Sequence, residues 1–263
     1  MRFEGIVNAR DLGGLPAGGK RVRSGLLLRT AHLHDATDDD IRQLTERYRL
    51  RRIFDFRTMS EASLQPDREV AGAEHIFLPT LDIEAERQSG EAVPAETWID
   101  LSSNIVRLSF MPFFQERARE LYPSLVTSEF SQIQYAAFLD MILETTDGGV
   151  LWHCSQGKDR TGIGAALLLS ALGAGRETII ADFDRSNDAY RPLVERLCRE
   201  AVAQGATEKE LDVIRAFMGV STRNFIRTLD LIDAQWGSME AYLTGPLGLD
   251  AGDLAVLRDR YLE

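Results

Sequence analysis

Cysteine is scarce in this chain of 263 residues, which contains only Cys154 and Cys198. Neither lies in a Cys-x-x-Cys or Cys/His spacing, which excludes a disulfide framework and a structural zinc site. The sequence also lacks an apolar run long enough to cross a bilayer, and its first residues lack the apolar region of a signal peptide. We therefore expect a cytoplasmic protein with no membrane span, no metal and no cofactor.

Positive charge is in the minority, because 30 Lys and Arg residues stand against 41 Asp and Glu residues, for a net charge of -11. Such a chain is a poor candidate for binding nucleic acid or anionic membranes. A site for an anionic substrate must therefore be positive locally. The hydrophobic share of 44% is typical of a globular protein, and the length suits one domain over residues 1–263.

Strand-like and helix-like segments alternate along the chain. Short apolar runs predict strands, and the spacing of apolar residues predicts helices between and after them. The predicted strands are 22–29, 51–57, 75–78 and 150–153, and the predicted helices are 37–48, 130–145, 161–172, 187–203, 207–217, 221–235 and two shorter ones near the end. This order predicts an α/β fold with a central, mostly parallel sheet flanked by helices.

A polar segment at about 82–129 interrupts this pattern and contains Gly90, Pro94, Pro112 and Pro123. A structureless loop of this length is unusual inside a domain, so we interpret the segment as a partly helical insertion. It is either a lid over the functional site or a surface excursion with no role there.

The run HCSQGKDRTG lies between the predicted strand 150–153 and a predicted buried helix. Backbone N–H groups converge where a tight loop enters a helix, and the helix dipole favours negative charge there. Cys154 opens this loop and Arg160 closes it, with five residues between them. The amides of Ser155, Gln156, Gly157 and Lys158 and the Arg160 fork can surround the oxygens of a phosphate.

The same positive environment lowers the pKa of a thiol, so Cys154 is the candidate nucleophile for attack on phosphorus. Thr161 can donate its hydroxyl to the sulfur when the sulfur later departs. His153 directly precedes Cys154, and adjacent residues that leave a strand point to opposite sides. We therefore expect His153 to order the loop rather than to form a protease dyad with Cys154. A nucleotide-binding Walker loop is excluded because Trp152 and Asp159 stand where it needs Gly and Ser or Thr.

HCSQGKDRTG resembles the HCxxGKDRTG loop of the bacterial tyrosine/serine protein phosphatases, a branch of the cysteine-phosphatase superfamily. Ala9 stands where this family commonly has an aromatic residue. Other segments resemble the family across most of the chain: NARDLGG at 8–14, LLLRTAHL at 26–33, DFRTMSE at 55–61, SNDAYRP at 186–192 and WGSMEAYLTGPLGL at 236–249.

This resemblance implies a phosphatase fold and hydrolysis of phosphotyrosine, in some relatives also of phosphoserine, phosphothreonine or phosphoinositides. The substrate would be a phosphorylated protein or a small phosphoester. Lys158 matches the loop lysine that meets additional phosphates in lipid phosphatases; otherwise it is a solvated charge beside the site. A phosphoinositide phosphatase and a non-catalytic phosphate-binding module therefore remain alternatives.

The leaving oxygen of a phosphoester needs a proton, and a carboxylic acid beside the ester can supply it. Asp82, in the LPTLDIE segment after the predicted strand 75–78, is the first candidate. Asp159 is the rival because it already lies in the loop, where it could also orient Arg160 or assist the attack of water. Asp55 and Arg57 are interpreted as supporting residues.

Overall fold

The computed structural model describes residues 3–82 and 121–263. In the first of these ranges the chain forms short strands with two short helices between them. In order these are β1 (Arg10–Asp11), β2 (Pro16–Ala17), β3 (Lys20–Arg21), β4 (Leu27–Thr30), α1 (Asp38–Arg42) continued by a π-helical turn (Gln43–Arg47), β5 (Leu50–Asp55), α2 (Met59–Leu64) and β6 (Glu74–Phe77).

The second range is mainly helical. Residues 121–127 form a helical segment, which is followed by α3 (Glu129–Glu144), β7 (Gly149–His153), α4 (Asp159–Ala171), α5 (Arg176–Ala203), α6 (Glu208–Met218), α7 (Thr222–Trp236), α8 (Met239–Thr244) and α9 (Ala251–Tyr261). The insertion predicted at 82–129 lies mostly outside the described residues. None of the helices in the described ranges is long and apolar enough to cross a membrane.

One sheet organises the fold, with the strand order β1-β4-β7-β5-β6. Strands β4, β7, β5 and β6 are parallel, and only the edge strand β1 is antiparallel. The predicted α/β class with a mostly parallel sheet flanked by helices is thus confirmed. The carboxyl ends of the four parallel strands meet at one edge, where α/β proteins bind their ligands.

The central strand β7 is buried along its whole length and divides the core into two layers. Because neighbouring strand residues point to opposite faces, Val150 and Trp152 join one apolar cluster and Leu151 joins the other. In the larger cluster, Phe138 of α3 packs edge-on against aromatic rings from the sheet. The partner rings and centroid distances are Phe54 at 5.1 Å, Phe56 at 5.1 Å and Trp152 at 5.5 Å.

Two predicted boundaries are wrong. The strand predicted at 22–29 begins only at Leu27, because the chain turns at Gly25, which has a positive φ of 83° and donates its N–H to Asp11. Val22 forms only an isolated bridge with Leu262. The helix predicted at 187–203 begins eleven residues earlier, at Arg176, because its first turns bury a narrow face containing Asp182 and Phe183.

Replacement of Phe138 by Ala should lower the free energy of unfolding by about 3–5 kcal/mol, because it removes a ring that packs against aromatic side chains on the sheet. Urea denaturation would measure the loss. Ile133→Ala on the same helix is the matched control, since Ile133 is 58% exposed, and should change stability by less than about 0.5 kcal/mol. Equal losses in the two variants would contradict this packing.

Candidate active site

The loop 154–158 leaves the end of β7 and enters α4 at Asp159, at the carboxyl edge of the sheet. Cys154 lies at the base of this loop and is only 3% exposed. Arg160 and Thr161, in the first turn of α4, are also buried. The strand–loop–helix arrangement predicted from HCSQGKDRTG is therefore present.

The carbonyl groups of the loop are held from outside by three side chains. Asn8 Nδ2 and Arg29 Nη2 donate to the carbonyl of Gly157 at 2.8 and 3.0 Å. Tyr190 Oη donates to the carbonyl of Gln156 at 2.8 Å. Because a planar trans peptide directs its C=O and the following N–H to opposite sides, these bonds turn the amides of residues 157 and 158 away from their anchors. Such amides can bind an anion.

Two of these anchors are fixed by a buried carboxylate. Asp182 on α5 accepts from Arg29 Nη1 at 2.6 Å and from Arg10 Nε at 2.8 Å. Arg10 also donates to Asn8 Oδ1 at 2.6 Å, which orients the Asn8 amide toward the loop. Burial alone would raise the pKa of Asp182, but the charges of Arg29 and Arg10 lower it. The carboxylate therefore stays ionised.

Position 157 requires glycine for two reasons, its backbone conformation and its close contact with the sheet. Its φ is +62°, and a Cβ atom placed on it would lie 2.1 Å from the carbonyl oxygen of Thr30 at the end of β4. Any side chain would therefore push the loop away from the sheet.

The electrostatics of the loop favour a thiolate. Burial alone would raise the pKa of Cys154, but the charge of Arg160 and interactions with Thr161 lower it below its ordinary value. The Thr161 hydroxyl is buried, and it has no other hydrogen-bond partner among the described residues. It is therefore available to the sulfur, and its catalytic role stays a prediction.

Arg160 is held by Glu61 of α2. Its Nη1 and Nη2 each lie 2.7 Å from one oxygen of the Glu61 carboxylate. Ser155 Oγ donates to the same carboxylate at 2.6 Å. Both terminal nitrogens of Arg160 face Glu61 in this pair. The Nε atom donates no hydrogen bond within the described ranges, so the Nε edge of the guanidinium can bind another acceptor.

Glu61 is a site residue that the sequence analysis did not identify. Burial alone would raise its pKa, but the charge of Arg160 and the hydrogen bonds from Arg160 and Ser155 lower the pKa to about 2. Glu61 also caps α2 by accepting from the Thr58 amide at 2.8 Å. Its place at the end of the DFRTMSE segment was the only signal available in the sequence.

Lys158 is buried, which excludes the solvated charge considered for it. Its Nζ donates to the carbonyls of Phe217, Met218 and Gly219 at 3.0, 2.9 and 3.1 Å. Burial lowers the pKa of Lys158. In this structure the ammonium group therefore ties the end of α6 to the loop.

The two candidate acids lie in different settings. Asp159 accepts a hydrogen bond from the hydroxyl of Tyr122, a buried residue of the helical segment 121–127 that the sequence analysis did not identify. Asp82 is half-buried in the segment after β6, at the edge of the described range. The roles assigned to both residues stay predictions.

A buried charge network lies below the loop. His153 Nε2 is 3.1 Å from Asp67 Oδ2, and its Nδ1 is 3.8 Å from Asp55 Oδ1. Burial alone would lower the pKa of His153, but these carboxylates raise it. Although two carboxylates and an imidazole could hold a metal ion, Arg57 Nη2 already lies 2.8 Å from Asp55 and 2.7 Å from Asp67. A cation would meet this guanidinium, so the donor set does not fit a metal.

Comparison with known proteins agrees with this geometry. Residues 1–263 of this chain match a protein family described as the tyrosine phosphatase family. A provisionally named tyrosine-protein phosphatase of Cupriavidus necator is 30% identical over 100% of this chain and 88% of its own length. The triple specificity protein phosphatase PtpB of Mycobacterium tuberculosis is 28% identical over 84% of this chain and 86% of its own length.

Replacing Gly157 by Ala should reduce the turnover of an aryl phosphate at least about 100-fold, because the new methyl group collides with the Thr30 carbonyl and displaces the amides of the loop. Steady-state kinetics would measure the loss. Gly205→Ala is the matched control, since Gly205 also has a positive φ, +88°, with nothing within 4 Å of its Cβ position. A Gly157→Ala enzyme with wild-type turnover would rule out this account of the loop.

Replacing Glu61 by Gln should lower stability most at neutral pH. The folded-state pKa of Glu61, about 2, lies below its ordinary value of 4.5. The carboxylate therefore stabilises the fold above pH 4.5, and this contribution, on the order of 3 kcal/mol, is lost as the pH falls toward 2. The gap in unfolding free energy between wild type and variant should thus narrow over this interval.

Urea denaturation at several pH values between 7 and 2.5 would measure that gap. Glu240→Gln, which changes an exposed carboxylate on α8, should give a small gap at every pH. A gap for Glu61→Gln that does not depend on pH would show that the ion pair with Arg160 is not the source of the stabilisation.

Proposed function

The chain belongs to the tyrosine phosphatase family, and from this premise we propose that it hydrolyses phosphate monoesters through a covalent cysteinyl-phosphate on Cys154, without a metal ion. The observation that carries the proposal is the environment of the thiol. Cys154 has a lowered pKa and lies at the base of a loop whose carbonyls are held outward by Asn8, Arg29 and Tyr190.

In the first step the Cys154 thiolate attacks phosphorus, and the bond between phosphorus and the ester oxygen breaks. The amides of residues 155–158 and the Nε edge of Arg160 bind the three other oxygens, and they hold the phosphoryl group in line for attack and stabilise its negative charge in the transition state. The leaving oxygen takes a proton from a carboxylic acid, for which Asp82 is the candidate. The loop amides and Arg160 compensate the negative charge of the phosphoryl oxygens, so no metal ion is required.

In the second step a water molecule attacks phosphorus, and the bond between phosphorus and sulfur breaks with its electron pair returning to Cys154. A carboxylate takes the proton of the water, and Asp159, the first residue of the helix that the loop enters, is the candidate for this role. The Thr161 hydroxyl stabilises the departing thiolate. Inorganic phosphate is released.

The substrate class we propose is phosphotyrosine in proteins, because the matching family is described as a tyrosine phosphatase family. We extend the proposal to phosphoserine and phosphothreonine in proteins, since the name of PtpB gives that relative more than one specificity. The phosphoinositide alternative depended on Lys158 as a ligand for a further phosphate. The ammonium of Lys158 is bound to three backbone carbonyls, so we do not extend the proposal to lipids. The cytoplasmic location stays a prediction.

Replacement of Cys154 by Ser should abolish release of phosphate from 4-nitrophenyl phosphate, because a serine hydroxyl is not ionised in this environment. The assay would be made in EDTA, where wild type should retain its full rate. Cys198→Ser, which changes the second cysteine of the chain, should leave turnover unchanged.

Two outcomes would contradict the mechanism: turnover that survives in Cys154→Ser, or wild-type turnover that EDTA removes and a divalent metal restores. With an active wild type, a panel of phosphotyrosine, phosphoserine and phosphothreonine peptides should be hydrolysed, with soluble phosphoinositides as the comparison. Preference for the phosphoinositides would contradict the proposed substrate class.

A further inference from the structure

The hydroxyl of Tyr122 contacts the first residue of α4, where the loop 154–158 ends. No sequence motif marks the part of the chain that contains Tyr122. It belongs to the helical segment 121–127 and is 3% exposed. Its hydroxyl donates a hydrogen bond to Asp159 Oδ1. Its ring meets the ring of Phe183 edge-on, with 5.9 Å between the centroids.

The position of this tyrosine is fixed from both sides. Phe183 in turn stacks on Phe225 of α7 with 3.9 Å between the centroids. The segment 121–127 is held to its surroundings through the carbonyl of Val126, which accepts from Gln132 Nε2 at 2.9 Å and from Tyr242 Oη at 2.8 Å. The hydroxyl of Tyr122 is therefore rigidly placed, and it restricts the carboxylate that it contacts.

The hydrogen bond also has a fixed direction. Burial raises the pKa of Tyr122 well above its ordinary value, and the charge of Asp159 and the hydrogen bond to it act in the same direction. The hydroxyl therefore keeps its proton at neutral pH and acts as the donor. A carboxylate oxygen is a strong acceptor for such a donor, so the hydrogen bond fixes the orientation of the Asp159 side chain.

We propose that Tyr122 is a positioning residue that fixes the side chain of Asp159 for the second chemical step, the hydrolysis of the cysteinyl-phosphate. The proposal rests on the proposed function. In this step the Asp159 carboxylate takes a proton from the attacking water, the water oxygen bonds to phosphorus, and the electron pair of the P–S bond returns to Cys154. Tyr122 keeps its own proton throughout, and the acid of the first step is a different group.

The test compares wild type with Tyr122→Phe in stopped-flow assays on 2,4-dinitrophenyl phosphate. The very good leaving group makes the first step fast, so hydrolysis of the intermediate limits turnover. We expect kcat to fall roughly 10-fold, a fraction of what general acid–base groups contribute. The rate of the initial burst and kcat/KM, which report the first step, should stay within about twofold of wild type.

A double-mutant cycle shows whether Tyr122 acts through Asp159. Asp159→Asn should also lower kcat with little change in the burst, and adding Tyr122→Phe to it should cause little further loss, because the two changes remove one interaction. Tyr261→Phe is the matched control. It removes a buried tyrosine hydroxyl that donates to the carbonyl of Ile142 in the last turn of α3, outside the segment 121–127, and its kcat should match that of wild type.

The outcomes separate this proposal from the proposed function. If Tyr122→Phe lowers burst rate and kcat/KM together with kcat, Tyr122 serves the first step and the proposal is wrong. An unchanged kcat, a loss equal to that of Tyr261→Phe, or additive losses in the double mutant would also overturn it. A failure of the cysteinyl mechanism itself would appear in a different experiment, as phosphate release that survives in the Cys154→Ser variant.

Discussion

The carboxylate of Asp182 lies between two guanidinium groups in the interior, and the shape of the loop 154–158 depends on this arrangement. Arg29 bridges Asp182 to the carbonyl of Gly157, and Arg10 bridges it to Asn8, which holds the same carbonyl. Loss of the carboxylate would leave two buried cations unpaired, which typically costs about 3–5 kcal/mol. The buried charges therefore fix the orientation of loop peptide groups that themselves carry no formal charge.

This support explains how a chain with a net charge of -11 can contain a binding site for a dianion. The attraction comes from N–H groups at close range and from one guanidinium, and such dipoles act over a few ångströms only. The carboxylates near the loop are each bound by a cation or a hydroxyl: Glu61 by Arg160, Asp182 by Arg29, and Asp159 by Tyr122. Their negative charge is therefore partly compensated where the substrate would bind.

The sequence was most informative where the functional residues are contiguous. Cys154, Arg160 and Thr161 could be assigned to one candidate site because the loop and its helix follow one another, and the buried strand before them has a clear apolar pattern. The mostly parallel sheet followed from the alternation of strands and helices. The strand predicted at 22–29 was too long, since the bond from Gly25 to Asp11 joins residues whose pairing has no periodic signal.

Supporting residues could not be identified in this way, because each acts across a long stretch of chain. Asp182 lies in the first half of α5, whose beginning was missed because its polar residues conceal a narrow buried face. Glu61 and Tyr122 reach the loop from other elements, and their partners are set by tertiary packing. A motif reports the residues that touch the reacting atoms, whereas the residues that hold them depend on the complete fold.

The separation of these partners along the chain has a consequence for biosynthesis. Asn8 precedes the loop carbonyl it holds by 149 positions, and Arg10 precedes Asp182 by 172. Contacts of such high sequence separation form late, because a long loop must close before they contribute. During translation Asn8, Arg10 and the loop therefore emerge before Asp182, the carboxylate that joins their supports. The loop gains its complete set of contacts only when the first and last thirds of the chain have met.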